Sequence, residues 1–63
     1  MIINGEKYDY KDITVEEMIT RLNLDKDKIV VEVNLNIIPK EEFNTTTLRD
    51  EDKIEIVAFI GGG

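Results

Sequence analysis

The sequence predicts a small α+β domain with one helix packed on one sheet face. Three observations predict it. An Asn4-Gly5 step separates two short strand-like runs near the start. A capped segment of helical periodicity covers residues 14–22. A β-branched run at 29–33 and an alternating run at 53–60 follow. The order is then β-β-α-β-β-turn-β, which pairs a sheet with a single helical layer. With 63 residues there is material for one domain. A chain of this size buries only about 60% of its unfolded surface. One helix covers one sheet face, so the other face is expected to stay open.

The elements follow from local chemistry. Met1-Ile2-Ile3 and Glu6-Lys7-Tyr8-Asp9-Tyr10 flank Asn4-Gly5. Both turn residues tolerate positive φ, so residues 1–10 read as a β-hairpin. Tyr8 and Tyr10 then share one side of a strand, and packing is expected of at least one. Thr14-Val15-Glu16-Glu17 is a capping box: Thr14 accepts from the Glu17 N–H and Glu17 reaches back. Ile13 and Met18 can form the hydrophobic staple. Val15, Met18, Ile19 and Leu22 line one helical face, and Asn23 is a left-handed stop. Asp25 to Lys28 reads as a charged loop, and Ile29-Val30-Val31-Glu32-Val33 as a strand. Asn34-Leu35-Asn36 reads as a turn before the short strand Ile37-Ile38. Pro39 to Phe43 suits a helical turn with proline at its first position. Asn44 to Thr47 is loop or edge, and Arg49-Asp50-Glu51-Asp52 is a polar turn. From Lys53 the chain alternates: Ile54, Ile56, Ala58 and Ile60 face the core, while Lys53, Glu55, Val57 and Phe59 face away.

Composition narrows the function. Fourteen acidic residues against eight basic ones give a net charge of −6, and 41% of residues are hydrophobic, enough for a core. The acidic balance disfavours nucleic-acid phosphates and favours basic partner surfaces. The chain has no cysteine and no histidine. That removes disulfides, thiolate chemistry, cysteine zinc sites, the usual neutral-pH base and the commonest metal ligand. No apolar run approaches the roughly 20 residues a membrane span needs. The first residues lack a basic n-region and an apolar h-region, so no signal peptide is expected. The expected compartment is the cytoplasm, and the expected free state is a monomer.

The ending, Ile60-Gly61-Gly62-Gly63, asks for an explanation. Three glycines offer no packing and are costly to order. They read either as a frayed terminus or as a thin tether for a partner's narrow slot. Three residues reach roughly 10 Å, at about 3.3–3.6 Å each. They would deliver a carboxylate that is unreactive until activated. Phe59 beside Val57, on the outward side of the last strand, reads as a docking patch, the alternative being a cover for loop residues. The acidic clusters carry less. Asp25-Lys26-Asp27-Lys28 fails as a calcium loop because Val30 stands at the glycine position and Asn36 at the twelfth. Asp50-Glu51-Asp52 reads as a solvated turn. No metal site is expected.

Two segments resemble the ThiS family, the sulfur carriers of thiamine biosynthesis, which have a ubiquitin-like β-grasp fold. Val33-Asn34-Leu35-Asn36-Ile37-Ile38-Pro39-Lys40-Glu41-Glu42-Phe43 is similar to the family's V-N-x-x-(I/V)-(I/V)-P-(R/K)-x-x-(W/F) segment. Leu48-Arg49-Asp50-Glu51-Asp52-Lys53-Ile54-Glu55-Ile56-Val57, with the terminal glycines, is similar to its L-x-(D/E)-G-D-x-(I/V)-E-I-(V/L) run ending in Gly-Gly. The resemblance covers nearly the whole chain. Two residues depart from it. Leu35 and Glu51 stand where the family often has glycine, and Asn36 is expected to take the left-handed position in place of Leu35.

The resemblance implies a β-grasp domain over 1–60, a mixed sheet with one main helix packed on one face, and a flexible glycine tail over 61–63. It implies that the Gly63 carboxylate is adenylated by an ATP-using, ThiF-like activating enzyme. Sulfur from a donor such as a cysteine desulfurase then gives a thiocarboxylate. A ThiG-like thiazole synthase uses that sulfur. Gly61 and Gly62 would be the tether, and Val57 and Phe59 part of the docking face. The chain would be a co-substrate rather than an enzyme, with no cofactor of its own, and the partners would carry the chemistry. Rival readings are the molybdopterin-synthase type of sulfur carrier, a protein-modifying ubiquitin-like tag, and an interaction module with an inert tail.

Overall fold

A computed structural model describes residues 1–59. The expectations for Ile60 and for Gly61, Gly62 and Gly63 lie outside the described residues.

The chain folds as expected into a mixed sheet with one main helix. Strands β1 (Ile2–Ile3) and β2 (Glu6–Lys7) pair antiparallel across Asn4 and Gly5. Those two residues have φ of 50° and 83°, the sign pattern of a two-residue type I′ turn. The hairpin is shorter than residues 1–10. Its last link is mutual, with Tyr8 N–H donating to Met1 O and the Met1 ammonium donating to Tyr8 O. Tyr10 therefore lies beyond any strand. The two tyrosine rings nevertheless sit 5.3 Å apart, and both are half-buried against the core.

The helix α1 (Val15–Arg21) begins with the expected capping box. Thr14 Oγ1 accepts from Glu17 N–H at 3.1 Å, and Glu17 Oε1 accepts from Thr14 N–H at 3.1 Å. Ile13 and Met18 are both buried, as the staple requires. Asn23 takes a φ of 59° just after the helix, the left-handed stop its sequence suggested.

Strand β3 (Ile13–Thr14) leads into this helix and pairs antiparallel with β6 (Thr47–Leu48), forming a separate two-stranded sheet. This pair was not expected, because two residues are too few to show a period. The strands β4 (Ile29–Val33), β5 (Asn36–Ile38) and β7 (Lys53–Ala58) complete the main sheet, whose order is β2-β1-β7-β4-β5. The last strand lies at its centre, parallel to β1 and antiparallel to β4.

Four expectations are corrected. Asp25 to Lys28 is not a plain loop. Lys26–Lys28 form a 3-10 turn, and Asp25 Oδ1 caps it by accepting from Asp27 N–H at 2.9 Å. Pro39 precedes the second 3-10 turn, Lys40–Glu42, instead of opening it, since its extended ψ of 146° is a cap conformation. Asn36 does not take the left-handed position; Asn34 and Leu35 do, at 51° and 73°. Ala58 is exposed instead of core-facing. Six strand residues span about 20 Å, whereas seven helical residues span about 10 Å. Burial accordingly fades along β7, from Ile54 fully buried to Ile56 half-buried to Ala58 exposed.

The core between helix and sheet joins Met1, Ile3, Val15, Met18, Ile19, Val31, Phe43, Leu48 and Ile54, with Ile13 and Ile29 at its rim. No polar or charged residue is buried among the described residues. Two asparagines fasten the central strand from opposite sides. Asn4 Oδ1 accepts from Ile56 N–H at 2.7 Å while its Nδ2 donates to Ile56 O at 3.2 Å. Asn34 Oδ1 accepts from Lys53 N–H at 3.0 Å and its Nδ2 donates to Asp52 Oδ1 at 3.0 Å. Each side chain thus continues the ladder of the hairpin whose turn it occupies. Asp52 Oδ2 also accepts from Arg49 N–H at 2.8 Å, which closes the polar turn without positive φ at Glu51.

Candidate functional site: the open sheet face at the end of β7

The helix covers one face of the sheet and leaves the other in water. Val31 and Ile54 point into the core, so their strand neighbours Val30, Glu32, Glu55 and Val57 point the opposite way. Val57 is 60% exposed and Phe59 41%. The sequence alternation therefore placed both correctly on the open face. Val30 lies directly opposite Val57 across the β4–β7 ladder and is also exposed. Phe59 N–H donates to Lys28 O at 2.9 Å. The backbone is thus still tied to the residue preceding β4 at Phe59, the last described residue, next to the Val30–Val57 pair.

Sequence reasoning missed Val30. It lies in an unbroken apolar run, Ile29-Val30-Val31, which gives no contrast between faces. Only the register with β7 shows which side it takes. It also missed Ile37, which is exposed and lies opposite Glu32. The signal for Ile37 was absent for the same reason, since Ile37-Ile38 is apolar at both positions.

Hollows among the described residues include one of about 400 Å³ beside Met1, Ile2, Lys7 and Asp50 and one of about 250 Å³ that runs past Tyr8, Leu22, Leu24 and Ile56. No group of three or more histidine, cysteine, aspartate or glutamate residues is placed to hold a metal ion among the described residues. No helix among them is long and apolar enough to cross a membrane. Among the described residues, the titrating groups that depart clearly from ordinary behaviour are Asp27 and Lys40, which pair at 2.6 Å. The hydrogen bond from Lys40, followed by its charge, holds the Asp27 carboxyl below its ordinary value. The same bond and charge raise the Lys40 ammonium. Both side chains are exposed, and the pair links the two 3-10 turns.

Together the mixed sheet, the single helix and the bare face at the end of the last strand define a ubiquitin-like β-grasp protein. The crystal structure of a thiamine biosynthesis protein (ThiS) from Geobacter metallireducens superposes with a TM-score of 0.80 at 30% identity, covering 98% of this chain and 96% of that one. The sulfur carrier protein ThiS of Bacillus subtilis is 36% identical over 63 residues, covering 97% of this chain and 96% of its own length. The model of the ThiS family matches residues 1–63. The chain belongs to the ThiS family. A thiazole synthase of Paramagnetospirillum magneticum is 45% identical over 64 residues, a match to all of this chain. The chain spans only a fifth of that protein's length.

Proposed function

We propose that this chain is a sulfur carrier for thiazole formation in thiamine biosynthesis, and that its working group is the Gly63 carboxylate. The observation that carries this is the match to the ThiS family over the whole chain, Gly63 included. The exposed Val57 and Phe59 beside the origin of the tail support it, because a carrier must present its terminus to other proteins.

The chemistry divides between tail and partners. A carboxylate is a poor electrophile. An activating enzyme of ThiF type joins a Gly63 oxygen to the α-phosphorus of ATP, and pyrophosphate leaves. The resulting acyl-adenylate is attacked at its carbonyl carbon by sulfur from a donor such as a cysteine desulfurase. AMP then departs with the oxygen, leaving the Gly63 carbonyl joined to the donor through an S–S bond; a partner thiol cleaves that bond, pairing with the donor's sulfur in a disulfide, and the thiocarboxylate stays on Gly63. Gly61 and Gly62 form a tether without side chains, so the tail can thread a narrow active site. The 1–60 domain holds the docking face. ATP is a substrate of the activating enzyme, and the carrier itself is a cytoplasmic co-substrate without a cofactor. A thiazole synthase takes the sulfur. That partner is supported by the segment, similar to this entire chain, found within the Paramagnetospirillum thiazole synthase.

Intact mass spectrometry tests the reading. The chain co-expressed with its activating enzyme and a sulfur source should show a fraction heavier by one oxygen-to-sulfur exchange, mapped to Gly63. Removing Gly63 should abolish that fraction. Unmodified carboxylate under those conditions would sink the carrier role. A mass corresponding to attachment to a lysine of another protein would point to a modifier instead.

A further inference from the structure

Five asparagines occur in the chain, and Asn4 alone precedes a glycine; the others precede Leu24, Leu35, Ile37 and Thr45. An asparagine followed by glycine carries a reaction in its own backbone. The amide nitrogen of the following residue can attack the asparagine Cγ. Glycine obstructs that approach least, because it has no side chain. Asn4 and Gly5 are both exposed, so water and base reach the turn. Among the described residues no backbone carbonyl accepts from the Gly5 N–H.

The fold opposes the same reaction. Asn4 and Gly5 sit in a tight turn, at φ of 50° and 83°. The Asn4 carboxamide is pinned at both ends, with Oδ1 accepting from Ile56 N–H at 2.7 Å and Nδ2 donating to Ile56 O at 3.2 Å. The Asn4 N–H donates to Ile54 O at 2.9 Å, which fixes the backbone beneath it. Turning Cγ toward the Gly5 nitrogen gives up both Ile56 bonds. The unfolded chain has neither restraint.

We propose that Asn4-Gly5 is a deamidation site guarded by the fold, and that its reaction unfastens the end of β7. The Gly5 nitrogen bonds to Asn4 Cγ, the Cγ–Nδ2 bond breaks, and ammonia leaves with the Gly5 amide proton. Water then opens the cyclic imide at either carbonyl. Opening at Cγ gives aspartate on the original backbone. Opening at the Asn4 main-chain carbonyl gives isoaspartate, with the chain routed through Cβ and Cγ. Either product lacks the Nδ2 donor to Ile56 O and adds a negative charge to a chain already at −6. Isoaspartate also lengthens the turn by a backbone atom, which disturbs the Ile3–Glu6 match of the hairpin. The loss falls on β7. Strand β1 pairs with it only at Lys53 and Ile54, and the Asn4 side chain is what reaches Ile56 from that side. The site stands whether or not the chain carries sulfur.

Matched incubations of the whole chain test the guarding. One is in native buffer and one in guanidinium chloride, at the same mildly alkaline pH. Intact mass and peptide mapping follow the exchange of NH2 for OH. In denaturant the exchange should appear at Asn4 ahead of the other asparagines. In native buffer it should run at least about tenfold slower, since both Ile56 bonds must be given up. Equal rates in the two buffers would overturn the guarding, and no preference for Asn4 in denaturant would overturn the site itself. The isoaspartate form, separated and returned to native buffer, reads the effect on β7. Its Ile56 N–H should exchange with deuterium about tenfold faster than in the unmodified chain. The Asn34 N–H, which donates to Lys53 O at 2.8 Å at the other end of β7, should keep its rate. An unchanged Ile56 rate, or an equal rise at both amides, would overturn the local unfastening.

Discussion

Leu35 is the residue whose conformation agrees least with its chemistry. Its φ is 73° and its side chain is 89% exposed. A left-handed conformation costs an L-residue roughly 1–2 kcal/mol, and no burial offsets it here. Leu35→Gly is expected to stabilise the protein by about 1 kcal/mol, because glycine's greater freedom in the unfolded chain takes back part of the gain. Urea unfolding checks it, as a rise in the midpoint with an unchanged slope. A drop would mean that Leu35 holds an apolar contact worth more than the backbone strain. Asn34, beside it, shows why the turn persists. Its side chain bonds Lys53 N–H and Asp52, so the turn is fastened from the far strand as well as from its own sequence. Asn4 does the same for the first hairpin.

At the scale of elements, α1 is the exposed weakness. Seven residues make about two turns, well short of the roughly 12–15 that an isolated helix needs. Its stability comes from the capping box and from Val15, Met18 and Ile19 in the core. Thr14→Ala leaves the Glu17 N–H without its side-chain partner and should cost about 1 kcal/mol. In a domain of this size that lowers Tm by about 4–8 °C. A thermal melt showing no change would mean that the β3–β6 pair alone fixes the start of the helix. The Lys40–Glu42 turn has a different task. It is short and wholly exposed, yet it delivers Phe43, whose N–H donates to Lys40 O at 3.1 Å, into the core at 2% exposure.

For the whole molecule the dominant quantity is charge, and the Asp27–Lys40 pair is where pH acts on it in a defined way. The folded Asp27 carboxyl lies below its ordinary 3.8. Its contribution to stability is therefore complete above that value and is lost as pH falls through the lowered one. The folded Lys40 ammonium lies above its ordinary 10.5. That contribution is complete below 10.5 and is lost as pH rises through the raised value. Lys40→Met should thus lower Tm slightly and evenly through the neutral range, as exposed pairs contribute little. The gap between the two proteins should close as pH drops below the ordinary carboxylate value. A gap that persists in acid would assign the effect to packing of the lysine stem against the turns rather than to the pair.

The sequence by itself determined the pieces whose signals are local. Asn4-Gly5 fixed a hairpin because both residues accept positive φ. Thr14 and Glu17 fixed the helix start because their side chains satisfy backbone groups three residues apart. The alternation from Lys53 put Val57 and Phe59 on the outward side because strand side chains change face at every residue. The tertiary structure decided what depends on register. It set β7 between β1 and β4, which put Val30 against Val57 and Glu32 against Glu55. It joined β3 to β6 across more than thirty positions of chain. It also let Ala58 leave the core, because a strand rises about twice as far per residue as a helix and so outruns the helix that covers it.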